Sequence, residues 1–291
     1  MNSTILEVAL NGPWSRDLQP LMPTTVDELI AEGIACARAG ASVVHCHVYD
    51  PETGRQYENF NAYRAVIEGI RAVADVIVYP TLPLSGSPDA PRPMSPATRF
   101  EVMVALAEAG LIEWAVIDPG STQFTRYDQI AAQTPGFLYR NPEEGLTYGL
   151  DKAVEFSIHP SYAIYEPGFL RLGAAQANER PGLPTPIYRF MFSEGFTFGF
   201  PPTAYALAAY HHLLSDVAPD APWMIAGLHV DILPLIPNAI ERAGHVRVGL
   251  EDAPFGSSQS NAKWVEMATT AIETCGGTLA TAADIRANLA P

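Results

Sequence analysis

Two histidines flank one cysteine in "VVHCHVYDPETGR", Val43 to Arg55, after an apolar run and before a turn-forming Asp-Pro-Glu-Thr-Gly. Alternate residues of a strand face the same side. On a strand, His45 and His47 therefore point together, about 7 Å apart along the backbone, while Cys46 points into a helix layer. Two imidazoles so placed can share a metal ion, although the bare pattern also suits two polar residues on a barrel rim. A catalytic zinc takes three protein ligands and keeps one position open. The candidate third ligand is Glu251 in "HVRVGLEDAP", at the C-terminal end of a later apolar run. Imidazole with carboxylate suits zinc; iron and manganese accept the same donors. Of the other histidines, His211 and His212 fall in a helix. His159, His229 and His245 lie near strand ends, where a structural role explains each one taken singly.

These residues need a frame that brings distant strand ends together. Apolar runs alternate with helix-like segments. The runs are Ile5–Leu10, "SVVHCH", "VIVYPT", "WAVIDPG", "FSIHP", "IYRFMF", "WMIAGL" and "VRVGLED". "TTVDELIAEGIACARAGA" predicts a helix capped by Thr24 or Thr25 and stopped at Gly40, and Ser95 caps another. Helical character also marks 165–179, 204–214, 233–243 and "SSQSNAKWVEMATTAIETCGG". Eight strand–helix pairs predict a (β/α)8 TIM barrel as a single domain over residues 1–291. An open doubly wound sheet is the alternative, but no glycine-rich phosphate turn follows any strand. In a barrel the eighth strand neighbours the first and the second lies one further on, so Glu251 can approach the histidines. The connections 80–96 and 121–141 are long and irregular, and belong on the catalytic face.

The chain has 291 residues, 48% of them hydrophobic and 17% charged, with net charge -15. Such an acidic surface disfavours nucleic acid and anionic membrane. Cys36, Cys46 and Cys275 are widely spaced and form no CxxC, which suggests reduced thiols and a cytoplasmic protein. No apolar run is long enough to span a bilayer.

"AGASVVHCHVYDPETGR", "GHVRVGLEDAP" and "SNAKWVE" together resemble the β-keto acid cleavage enzymes, a family founded on the 3-keto-5-aminohexanoate cleavage enzyme. The resemblance runs from "ALNGPW" to the last helix. It implies a zinc-bearing (β/α)8 barrel that condenses a β-keto acid with acetyl-CoA, giving acetoacetate and a new acyl-CoA. Carried over, His45, His47 and Glu251 hold the Zn2+, Asp252 is the general base and Arg247 orients it. Thr81 and, more loosely, Ser121 match hydroxyls that bind substrate. Asn11, Trp14 and Tyr49 are expected around the same substrate. The family also implies a homo-oligomer, a dimer or a tetramer.

Several positions depart from the family pattern. Trp14 replaces a glutamate that meets the founding enzyme's substrate amine, which implies an apolar or aromatic acyl group; a lid or core role is the other reading. Tyr49, Asp118, Ser161, Ala163 and Ala253 also replace usual residues, whereas Glu166 is kept. "FMFSEGFTFGFPP", Phe190 to Pro202, suits an apolar pocket or a subunit interface. Two rivals remain at this level. One is a metal-dependent hydrolase on the same barrel, which usually carries HxH on the first strand and a histidine on the sixth. The other is a degenerate, non-catalytic metal-binding homologue.

Overall fold

Each apolar run becomes a short buried strand: Leu6–Ala9, Val43–Cys46, Ile77–Pro80, Trp114–Val116, His159–Ile164, Ile187–Phe192, Trp223–Gly227 and His245–Val248. This computed structural model describes residues 3–84 and 94–289. The strands pair in parallel, in the order third, second, first, eighth, seventh, sixth, fifth, fourth. The third and fourth strands pack side by side, so the sheet curls into a nearly closed (β/α)8 barrel. The ladder sets the register that matters for chemistry. Ala9 pairs with His45, and Val8 pairs with both Val44 and Val248.

Local chemistry fixes the helices. Helix Val26–Ala39 starts at Thr25 with a capping box to Glu28 and ends at Gly40, whose φ of 121° favours glycine. Helix Asn261–Thr274 starts at Ser260. Buried Asn261 in its first turn accepts from Leu250 N at 2.8 Å and donates to Leu10 O at 2.9 Å. That one side chain ties the C-terminal ends of the first and eighth strands together.

Three expectations needed correction. "FSIHP" is not a strand from its start: helix Glu143–Phe156 runs into it, Ser157 caps that helix with φ 54°, and the strand opens at His159. Segment 121–141 is not irregular. It folds as an antiparallel hairpin, Thr122–Phe124 with Phe137–Tyr139, enclosing helix Tyr127–Ala131. The helix capped by Ser95 breaks at Phe100 into Pro96–Arg99 and Glu101–Glu108. Most of the expected 80–96 connection lies outside the described residues. Among those described, no helix is long and apolar enough to cross a membrane.

His245 and His159 sit at the N-terminal ends of their strands, away from the catalytic face. The buried His245 ring accepts from Ile5 N at 3.1 Å through Nδ1, and burial pushes its pKa down to about 4. An unfolded chain protonates this histidine near pH 6.5, so between about 6.5 and 4 the unfolded state binds more protons. Stability therefore falls as pH falls through that window, by up to about 3 kcal/mol for this group. His245→Gln, which keeps an acceptor, should flatten that stretch of the curve in pH-dependent urea unfolding. An unchanged slope would remove His245 from the acid response.

Candidate active site

His45, His47 and Glu251 converge at the catalytic mouth and are all buried, with their ligand atoms within 4.8 Å of one another. His45 Nε2 lies 3.4 Å from one Glu251 carboxylate oxygen and His47 Nε2 lies 3.5 Å from the other. These distances are long for hydrogen bonds. They match the separation of about 3.4 Å between two donors on a tetrahedral ion with bonds near 2.1 Å. His47 Nε2 is buried without a hydrogen-bond partner, and Glu251 Oε2 has none beyond its 3.0 Å ion pair with Arg247. Buried polar atoms are rarely left so, and a divalent cation would satisfy both. The donor set therefore fits zinc chemistry.

The protonation of the set also favours a cation. Burial holds His45 well below its ordinary pKa, so its ring is neutral. Burial opposes the charge on Glu251, but the Arg247 guanidinium keeps its carboxyl well below the usual range. His47 Nδ1 contacts Gln56 Oε1 at 2.9 Å, and Gln56 Nε2 donates to Glu58 at 3.3 Å. Burial raises the Glu58 carboxyl to about 7; with the amide nitrogen of Gln56 donating to Glu58, its amide oxygen faces His47 and accepts. The Nδ1 atom of His47 then carries the proton and Nε2 presents its lone pair inward. Gln56→Leu should weaken metal affinity by about 10- to 100-fold, read by chelator competition; unchanged affinity would make Gln56 a bystander.

Two glycines make this approach feasible. Gly12 has φ 76°, and a Cβ there would come within 2.6 Å of Glu251 Cγ. Gly249 has φ 132°, and a Cβ there would meet Ala9 O at 2.2 Å. The turn that carries Glu251 can lie against the first strand only with a bare backbone at both places.

Arg247 organises the next shell of charge. Its Nε and one terminal nitrogen donate to the two oxygens of Asp252, at 3.0 and 2.8 Å. It also contacts Glu251 at 3.0 Å and Glu7 at 3.3 Å. Tyr79 donates its hydroxyl to Glu7 at 2.7 Å. Burial raises the Asp252 pKa to about 6 in spite of Arg247, the range that suits a general base near neutrality.

A chamber of about 40 Å³ opens above the three candidate ligands, lined also by Thr81, Val116, Asp118, Ala163, Tyr165 and Arg189. It shares Pro13, Trp14, Leu84 and Phe124 with an outer cleft of about 450 Å³, whose wall includes Tyr49, Phe137 and Phe196. Trp14 stands in both walls. Its indole donates to Glu251 O at 2.8 Å and its ring packs edge-on against Phe255.

The other expected substrate contacts divide. Thr81 is in the chamber wall. Tyr49 reaches the outer cleft, but its hydroxyl is committed to Gly12 O and to Trp14 O, the latter at 2.9 Å. Asn11 is corrected. It is fully buried, donates to Pro23 O and His47 O, and accepts from His47 N and Gly12 N. An asparagine has no further bond to give a substrate, so Asn11 fixes the His47 backbone instead. Ser121 is also displaced: its hydroxyl accepts from Asn141 N at 2.8 Å, and it lines a separate depression with Arg99 and Arg140.

Glu7, Gln56 and Arg189 were missed by the sequence reading. Glu7 and Arg189 each break an otherwise apolar run, "ILEVAL" and "IYRFMF". A single charge inside a buried strand was the available signal.

The model of the beta-keto acid cleavage enzyme family matches residues 3–290. The 3-oxoadipate:acetyl-CoA acetyltransferase of Cupriavidus necator is 29% identical, over 98% of this chain and 94% of that protein. The 3-dehydrocarnitine:acetyl-CoA trimethylamine transferase of Rhizobium meliloti is 26% identical, over 92% of this chain and 89% of that protein. Among solved structures, a ternary complex of ObcA with a C4-CoA adduct and oxalate aligns at TM-score 0.73 and 16% identity. It covers 94% of this chain and 68% of that one, and shows the shared barrel. With the family model matched from end to end, the chain belongs to the beta-keto acid cleavage enzymes.

Proposed function

We propose that this protein is a zinc-dependent enzyme that condenses a β-keto acid with acetyl-CoA and releases acetoacetate and a new acyl-CoA. The observation that carries this reading is the convergence of His45, His47 and Glu251 with the Arg247–Asp252 pair at one barrel mouth. A bound divalent ion would polarise the substrate's keto oxygen as a Lewis acid. Asp252 takes the proton from the carbon between ketone and carboxylate, and Arg247 holds Asp252 in place. The carbanion attacks the thioester carbon and CoA thiolate leaves. The thiolate then attacks the former ketone carbon, and the bond to the central carbon breaks. Asp252 returns the proton to that carbon, completing acetoacetate. No protein nucleophile is required.

The acyl group of the keto acid extends toward Trp14, Phe124, Phe137 and Phe196. Its fit to that apolar wall favours a bulky uncharged or aromatic group. The setting proposed is a cytoplasmic homo-oligomer, dimer or tetramer, built from one (β/α)8 domain per chain, residues 1–291. The absence of histidine from the sixth strand disfavours the hydrolase reading.

Elemental analysis, followed by CoA release over a panel of β-keto acids with acetyl-CoA, tests the proposal. About one zinc per chain, with acetoacetate formed only when both substrates are present, is the expected result. Zinc without CoA-dependent cleavage would turn the assignment to a hydrolase or a non-catalytic metal binder.

A further inference from the structure

Among the described residues, Arg189 is the one arginine or lysine in the wall of the inner chamber. It comes from the sixth strand, across the barrel from His45 and His47 on the second. The residue is 3% exposed. Its Nε has no hydrogen-bond partner, and a terminal nitrogen makes one long bond, 3.4 Å, to Ser161 O. Among the described residues, no carboxylate forms an ion pair with it. The contrast with Arg247, which touches Asp252, Glu251 and Glu7, is direct.

A guanidinium offers five N–H donors in a planar fork. Burying one with its donors unused is costly unless an anion arrives. Asp118, in the same wall, does not fill that need. One of its oxygens accepts from Tyr139 OH at 2.7 Å and the other from Ala163 N at 2.9 Å. Burial pushes the Asp118 carboxyl up, while the charge of Arg189 draws it down without a hydrogen bond between them. The fork therefore faces a small chamber with free donors, opposite the candidate metal ligands.

We propose that Arg189 is a specificity-determining residue that binds the carboxylate of the keto acid, so that the acid group lies toward the sixth strand and the keto oxygen toward His45, His47 and Glu251. This inference rests on the function proposed above. It names the side chain that recognises the carboxylate of that acid. Thr81, just after the third strand, stands in the same wall, but a neutral hydroxyl cannot impose a charge preference. Arg189 can, because hydrogen bonds from a charged donor to a carboxylate are about twice as strong as neutral ones.

The test uses binding without turnover. Acetoacetate and its methyl ester offer the same keto oxygen to a metal; one carries a charged carboxylate and the other a neutral ester, so the Arg189 variants separate a contribution of Arg189 from one of the metal. Their affinities for the zinc-loaded protein are measured by calorimetry in the absence of acetyl-CoA. Wild type should prefer the acid by about 10- to 100-fold. Arg189→Gln should bind the ester as before and lose the preference for the acid, and Arg189→Lys should keep part of it. Metal content and Tm of each variant are measured alongside. Equal weakening of both ligands would mark Arg189 as structural and overturn the proposal. So would a preserved acid preference in Arg189→Gln, or no preference in wild type. A clear acid preference that depends on Arg189, with no turnover on any keto acid, would instead sink the proposed function and leave Arg189 as a carboxylate anchor.

Discussion

Glu251→Gln should lose both bound metal and turnover, while the barrel still folds. The substitution keeps size and shape but replaces a carboxylate that stands 3.4 and 3.5 Å from the two imidazoles. A neutral amide is a poor ligand beside two neutral histidines, because nothing then balances the charge of the ion. Loss of an outer partner of a metal ligand costs about 10- to 100-fold in affinity or activity; loss of a ligand itself should exceed that. Arg247 keeps Asp252 and Glu7 as partners in the variant, so the core is not left with an uncompensated cation. Two readouts follow. Inductively coupled plasma analysis should find far less than one ion per chain. Added zinc should raise the wild-type Tm, since a ligand at about 100 times its Kd stabilises the folded state by about 2.7 kcal/mol, and it should leave the Tm of the variant unmoved. Stoichiometric metal with a normal zinc-dependent Tm shift in Glu251→Gln would exclude Glu251 as a ligand.

The pairing of His45 with His47 was readable because strand periodicity is rigid: two residues apart always means the same face. Glu251 could be placed because a closed barrel makes the eighth strand a neighbour of the first. Both inferences needed only spacing and topology. Asn11 failed for a different reason. Its position beside the site was foreseen, but whether an amide faces a ligand or its own backbone is decided by which carbonyls lie within reach, and here His47 and Pro23 take its donors. Ser121 failed because the segment after it folds back as a hairpin, and a hairpin register is invisible until both strands are identified. Glu7 and Arg189 were overlooked because a lone charge in an apolar run gives no period of its own. Their importance comes from what surrounds them: Tyr79 and Arg247 for one, an almost unpartnered fork for the other. The premature strand at "FSIHP" shows a boundary decided by backbone geometry, since Ser157 takes the left-handed conformation that ends a helix there.

Asp252→Asn should retain metal and lose catalysis. Asp252 is not one of the three converging donors, and its carboxylate is held by Arg247 at 2.8 and 3.0 Å, so an isosteric amide leaves the ligand geometry in place. What it removes is a base. A positioned general base contributes about 10² to 10⁴ in rate, and the fall should appear in kcat with little change in KM, because the residue takes its part in proton transfer rather than in ground-state binding. The stability cost should be moderate. Breaking a buried pair costs about 3–5 kcal/mol when one charge is left alone, but Arg247 still touches Glu251 and Glu7. A half-reaction isolates the step. In D2O without acetyl-CoA, wild type should exchange the protons on the carbon between ketone and carboxylate faster than buffer alone, followed by proton NMR. Asp252→Asn should exchange them no faster than buffer while holding zinc at the wild-type ratio. If the variant exchanges at the wild-type rate, the base is another group in the chamber and Arg247 serves Glu251 rather than Asp252. If exchange stops and zinc is lost as well, Asp252 acts by holding the metal shell together, and the acid–base role falls.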